Sequence, residues 1–306
     1  MIGRRVVPLC LQRGHEVTAL ARSGDGKTAV ERLGARSVIV DMFDRDGLTR
    51  AMAGHDAVIN LATHLPSSTA RMFLPGAWRE NDHIRREGSA TVAAAALANG
   101  VKRLVQESFG LVYPDLGDAW IDETVPIAPD RYNRSVADAE RSAAWFTEGG
   151  GTGVALRFAS FYGPDSRFLR EMVGMIYRGY SPLPTPVEAY LPSVHHDDAA
   201  TAVMAALDLP PGVYNVVDDQ PLTHRDFVDS LAEALGAHHP RFLPMWLTKL
   251  AGGPLRTYAR SMRLSNRKLA NASGWSPTFR SVHDGWPTAV APFRRAPREE
   301  LRHIPG

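Results

Sequence analysis

The chain has 306 residues, long for one compact core and short for three, so one main domain with a smaller lobe is expected. Hydrophobic residues at 44% and charged residues at 22% exclude a disordered chain. The 35 basic and 33 acidic side chains leave a formal net charge of +2, which excludes a general affinity for nucleic acid. The one cysteine, Cys10, excludes an internal disulfide framework, suits a reducing compartment, and reads as a packed small hydrophobe in an apolar helical stretch. No apolar run approaches the roughly 20 residues of a membrane span. Met1-Ile2-Gly3-Arg4-Arg5 lacks the apolar core of a signal peptide, so a cytoplasmic location is expected.

Residues 4–13 read as a helix closed by Gly14. A strand follows over 15–22, a helix over 28–33, a strand over 37–41 and a short helix over 45–52. Residues 57–62 form a nearly all-apolar strand, as expected when both faces are covered. A long helix is expected from 84 through the alanine-rich 90–98, ending at Asn99-Gly100. A strand over 103–107, a helix over 138–147 and a strand over 153–157 complete the first half. This alternation is the rhythm of βαβ units on a parallel sheet.

After Gly163-Pro164, the prolines 182, 184, 186 and 192 mark excursions out of that sheet. Residues 189–194 and 212–217 are expected to return to it, joined by a helix over 197–207 that packs on it. Helices over 224–235 and 265–272, with aromatic and proline interruptions, suggest a small lobe. Residues 293–306, carrying Arg294, Arg295, Arg298 and Arg302 among prolines, read as a solvated tail. No internal repeat is found.

Several segments then occur in one order: Gly-Val-Lys-Arg-Leu-Val (100–105), Tyr113, Tyr132 with Ser135 and Glu140, and Leu-Arg-Phe-Ala-Ser-Phe-Tyr-Gly-Pro (156–164). Ser-Val-His-His-Asp-Asp-Ala-Ala (193–200), Gly-Val-Tyr-Asn-Val (212–216) and Gly-Trp-Ser-Pro (274–277) follow. Together they resemble the NAD-dependent epimerase/dehydratase branch of the extended short-chain dehydrogenase/reductases, over nearly all of residues 1–287. The resemblance implies an α/β, Rossmann-like doubly wound parallel sheet with a small C-terminal substrate lobe. The dinucleotide-binding part would comprise 1–165 and 189–217, the lobe 166–188 and 218–290, and the tail 291–306. It also implies a small-molecule substrate and no metal. A homodimer through the helices at 84–98 and 138–147 is possible.

The amino terminus departs from the family pattern. There a strand leads through a glycine-rich turn into a helix whose N-terminus holds the pyrophosphate. Residues 1–7 look like the end of that motif, with Gly3 as its last glycine, while the strand and first two glycines are not in this sequence. The expectation is that the neighbouring strands are left unpaired in the interior and that the working protein carries roughly ten more residues at its front. At the end of the next strand, Arg22 and Ser23 stand where a carboxylate would select NAD, which favours NADP and leaves NAD open. Asp41 and Met42 match the adenine-contacting pair, and Leu61, Ala62 and Thr63 the loop under the cofactor. His64 reads as a loop histidine.

The catalytic pattern departs too. The family pairs a tyrosine with a lysine four residues later, whose charge lets a phenol with an ordinary pKa near 10 work near neutral pH. Tyr132 occupies the tyrosine position, but the lysine position is Val136. The supporting serine or threonine is replaced by Phe109, with Ser108 beside it as the substitute. Glu107, Tyr113 and Asp115 read as structural. Arg157 and Tyr162 fall where the family's substrate pocket meets the cofactor. In His195-His196-Asp197-Asp198, adjacent strand residues face opposite ways, so an N-cap by Asp197 or Asp198 is preferred to a metal site. The leading expectation is an NAD(P)-dependent oxidoreductase or epimerase-like enzyme acting on a small carbonyl or hydroxyl compound through Tyr132. The alternative is a non-catalytic NADP-binding sensor or partner-binding module.

Overall fold

The structure is a computed structural model that describes residues 1–74, 76–246 and 253–294. The amino-terminal half alternates helix and strand: α1 (Gly3–Gln12), β1 (Thr18–Ala21), α2 (Gly24–Glu31), β2 (Arg36–Ile39), α3 (Arg45–Ala51) and β3 (Ala57–Asn60). Gly14, at φ 80°, makes the left-handed turn out of α1 that other residues rarely adopt. Ser23 and Asp44 cap α2 and α3 by accepting the Gly26 and Gly47 N–H groups.

The long helix expected over 84–98 is longer and interrupted. It runs as α4 (Arg79–His83), a wide π turn at Ile84–Gly88, and α5 (Ser89–Ala98). Then come β4 (Arg103–Phe109), β5 (Trp120–Ile121), α6 (Val136–Glu148), β6 (Thr152–Phe158), β7 (Ser160–Tyr162), α7 (Arg167–Tyr177), β8 (Tyr190–Leu191) and β9 (Ser193–His195). The chain continues through α8 (His196–Ala205), β10 (Gly212–Val216), β11 (Leu222–Thr223) and α9 (His224–Leu235). The last elements are α10 (Gly253–Tyr258), β12 (Arg263–Leu264), α11 (Arg267–Ser273), α12 (Val282–Ala289) and α13 (Ala291–Arg294). The arginines of the expected tail beyond Arg294 lie outside the described residues.

The central sheet is parallel, in the order β10-β6-β4-β3. Both its faces are covered: Leu104 of β4 joins one core with Leu48, Val92 and Phe146, while its neighbour Val105 joins the other with Val6, Cys10 and Val203. Alternate strand residues thus feed two cores, one on each face of the sheet. β1 and β2 pair in parallel with each other but not with β3, so the sheet is split between β1 and β3.

Residues 212–217 return to the main sheet as β10. Residues 189–194 do not. β8 pairs antiparallel with β11, and β9 pairs with β7, forming separate two-stranded ladders beside the central sheet. Prolines 184, 186 and 192 punctuate that stretch, and a proline cannot donate to a central ladder. The cap of α8 also differs from expectation. His195 is its N-cap, accepting the Asp197 N–H at 3.2 Å. Asp198 instead turns inward to accept the Thr278 and Phe279 N–H groups at 2.7 and 3.0 Å.

Candidate active site

β4 and β6 lie side by side, and their C-terminal ends carry Ser108 and Arg157, paired in register. The Ser108 hydroxyl donates to Glu140 Oε1 on α6 at 2.7 Å. Arg157 donates to both Glu140 oxygens at 2.7 Å and, through Nη1, to the Tyr113 hydroxyl at 2.6 Å. Tyr113 in turn donates to Asn215 Oδ1 at 2.9 Å. These buried groups bolt β4, α6, β6 and β10 together. Burial pushes the Tyr113 phenol up to about 12, and although burial opposes the Arg157 charge, the Glu140 bonds hold it firmly protonated. Arg157 therefore serves an internal ion pair, a different placement from the substrate contact expected of it. Tyr162 is packed edge-on against His195 and Trp286, with its hydroxyl donating to the Ser281 carbonyl at 3.3 Å.

Tyr132 stands apart from this network. It lies in the turn ahead of α6, whose first residue is Val136, so the two do not share a full helical turn. Its ring packs against Trp78 with centroids 4.9 Å apart, and the Thr257 and Tyr258 side chains of α10 face it. The Thr257 hydroxyl donates to Asp130. The phenol oxygen is buried with the Thr257 side chain beside it, and burial drives its pKa upward. Val136 is fully buried in the core. Arg260 is the nearest cationic influence, but it is spent on Asp130 at 3.0 Å and on the Tyr113 and Ala128 carbonyls. Trp78 and Thr257 lie 54 and 125 positions from Tyr132, and no spacing in the sequence joins them.

The residues expected to meet a dinucleotide gather at the C-terminal ends of β1, β2 and β3. Arg22 and His64, following β1 and β3, both approach Glu80 Oε1, at 3.9 and 3.1 Å. Ser23 caps α2, Asp41 accepts the Phe43 N–H at 3.0 Å, and the Met42 thioether packs over Gly88 so closely that a Cβ there would fall 2.4 Å from its methyl. Leu61, Ala62 and Thr63 leave β3, with the Ala62 N–H held by Asn60 Oδ1 at 3.2 Å. Gly3 opens α1, whose first turn receives no side-chain cap and faces open space. The Asn81 amide nitrogen is buried without an acceptor. Uncapped N–H groups, an orphaned donor and an exposed guanidinium fit a dinucleotide carrying phosphates. Among the described residues no group of metal ligands is found, and no helix is long and apolar enough to cross a membrane.

A parallel α/β sheet with these residues at its strand ends defines a class of nicotinamide-dependent enzymes, and the comparisons agree. The chain belongs to the NAD dependent epimerase/dehydratase family, whose model matches residues 1–216. It is 30% identical over 299 residues to the 3-diazoavenalumate denitrifying reductase of a Streptomyces species, covering 93% of this chain and 95% of that protein. It is 27% identical to the 4-hydroxy-2-methyl-3-oxo-4-farnesyl-3,4-dihydroquinoline-1-oxide ketoreductase of Stigmatella aurantiaca, covering 77% and 70%. Among solved structures, the UDP-glucose 4-epimerase of Thermus thermophilus in complex with NAD aligns over 97% of both chains, with a TM-score of 0.76 and 25% identity.

Proposed function

We propose that this protein is an NADP(H)-dependent reductase of small molecules whose hydride acceptor asks little proton chemistry of the enzyme. The observation that carries the reading is the state of Tyr132: a covered phenol, pushed toward its protonated form by burial, with Val136 in place of a cation. A phenol held protonated can give a proton but cannot take one. It therefore suits reduction, whereas epimerisation or alcohol oxidation must begin by removing a hydroxyl proton. The names of the Streptomyces and Stigmatella relatives, both reductases, support the same direction.

A bound dinucleotide would supply the hydride. Arg22, exposed beside Glu80, is free to pair with a 2′-phosphate, Ser23, Asp41 and Met42 flank the adenosine, and Leu61, Ala62 and Thr63 pass beneath it. Gly3 and the uncapped first turn of α1 would hold the pyrophosphate. Trp78 and α10 keep water from Tyr132. Residues 1–165 and 189–217 are assigned to the dinucleotide and residues 166–188 and 218–290 to the substrate.

The diazo group named in the Streptomyces relative's substrate fits a site without a proton relay. An arenediazonium accepts hydride at its terminal nitrogen and becomes an aryl diazene. The carbon–nitrogen bond then breaks, dinitrogen leaves, and the added hydrogen ends on the ring carbon. Charge balances without a proton from Tyr132.

The test follows NADPH oxidation by an arenediazonium salt and by an aromatic ketone, each corrected for the uncatalysed rate. In Tyr132→Phe, ketone turnover should fall by about 10²-fold or more, while diazonium turnover stays within about threefold. Equal collapse with both acceptors, or NADPH binding without oxidation by either, overturns the reading.

A further inference from the structure

A tyrosine that spends its proton on a carbonyl must recover one before the next turnover. For Tyr132 the groups that face the phenol decide the route. Trp78 packs on the ring and carries no proton to give. Tyr258, a second phenol that burial holds protonated, hydrogen-bonds Ser160, and Phe168 stacks on its ring at 6.0 Å. Thr257, Asp130 and Arg260 make up the other polar company of Tyr132.

Thr257 is fully buried, its hydroxyl lies beside the Tyr132 oxygen, and it donates to Asp130 Oδ2. Asp130 belongs to the turn that carries Tyr132, where its main-chain carbonyl accepts the Asn133 N–H at 3.1 Å. Unlike Thr257, its side chain keeps 22% of its surface in solvent. Arg260 holds that carboxylate in place. Its Nη2 lies 3.0 Å from Asp130 Oδ2, and its Nη1 donates to the Ala128 carbonyl at 2.9 Å. Phenol, hydroxyl and carboxylate thus make one line from the covered ring to the surface.

We propose that Thr257 and Asp130 form a relay that returns a proton from solvent to Tyr132 after each carbonyl reduction, a role that rests on the reductase reading above. In that reduction the hydride goes to the carbonyl carbon and the Tyr132 hydroxyl proton to its oxygen, which leaves a phenolate. The Thr257 oxygen stays in place while its hydrogen turns from Asp130 to the phenolate. Thr257 gives that proton up and takes another from the Asp130 carboxyl, which water has protonated. One solvent proton enters for each proton delivered to product, and every side chain ends in the charge state in which it began. Burial drives the step, because a covered phenolate without a cation is costlier than a phenol. A hydroxyl suits the middle place because it donates and accepts at once, and valine of the same shape does neither. Thr257 and Asp130 act through Tyr132 without touching the acceptor, so they are positioning residues.

The test compares the first and later turnovers of NADPH with an aromatic ketone in the full chain. In Thr257→Val the first NADPH per site should be oxidised within about threefold of the parent rate, because Tyr132 starts protonated. Later turnovers should slow by roughly tenfold or more, which gives a burst that the parent lacks. Thr257→Ser restores the hydroxyl and should bring the steady rate back to within about threefold. Asp130→Asn keeps an acceptor for Thr257 but carries no proton, and should show the same burst. NADPH affinity, measured by fluorescence titration, should stay within about twofold in all three variants. A parental steady rate in Thr257→Val, or a first turnover slowed as much as the later ones, overturns the relay. Tyr132→Phe, assayed in parallel, separates the two claims. Undiminished ketone turnover in that variant overturns Tyr132 as the donor, whereas its loss there, with no burst in Thr257→Val, overturns the relay alone.

Discussion

The guanidinium of Arg157 grips the carboxylate of Glu140 through two hydrogen bonds of 2.7 Å, with both side chains nearly removed from solvent. A buried pair with that geometry is a structural fastener between β6 and α6. Removing one partner leaves the other charged and unpaired in the interior. Glu140→Gln should therefore cost about 3–5 kcal/mol in urea unfolding. Ser108→Ala, which removes one neutral donor to the same carboxylate, should cost only about 1 kcal/mol. If Ser108 supported Tyr132 in catalysis, its loss would instead lower kcat with little change in stability.

Gly153 shows how tightly α6 lies on β6. A Cβ at this position would fall 1.9 Å from the Ala143 carbonyl oxygen, a backbone atom with no freedom to withdraw. Gly153→Ala should destabilise the fold by about 2–3 kcal/mol through forced separation of helix and strand. A Tm unchanged from the parent protein would contradict this packing.

Acid should loosen the protein through its buried histidines. His224 is fully buried, its Nδ1 bonded to the Pro184 carbonyl at 2.8 Å, and burial lowers its pKa from 6.5 to about 4. The folded state thus prefers the neutral ring. Its contribution is complete above pH 6.5 and declines as pH falls toward 4, because the unfolded chain binds the proton first. A shift of this size corresponds to about 3 kcal/mol across that window. The slope of unfolding free energy between pH 4 and 6.5 should be shallower in His224→Phe. An unaltered slope would show that His224 is not the group responsible.

Cofactor choice turns on a single exposed side chain in this reading. Arg22 offers a cation for a 2′-phosphate at the end of β1. Arg22→Asp would repel that phosphate and accept hydrogen bonds from a free ribose. The ratio of NADPH to NADH affinity should fall by about 10- to 100-fold, measured by fluorescence titration. A ratio that does not move would place the selecting residue elsewhere.

The strand at 57–62 was legible in the sequence because a strand covered on both faces is nearly all apolar, as β3 is. The family, too, was carried by short runs that each fix a local backbone. The Glu140–Arg157 pair was not legible, since a charged residue in a substrate motif and one in a fastener are written with the same letter. Nor was the seat of residues 189–194, where strand-like composition could not distinguish the central ladder from the small ones beside it.

By itself the sequence determined the α/β alternation, the parallel sheet and the absence of a lysine four residues after Tyr132, all of which depend on neighbours along the chain. Only the tertiary structure decided that Trp78, Thr257 and Tyr258 cover the phenol, that Arg260 is spent on Asp130, and that β1 and β3 face each other across an open slot. These are meetings of residues distant in sequence. Burial and hydrogen-bond satisfaction, which set the charge state and reach of each group, depend on which surfaces the fold presses together.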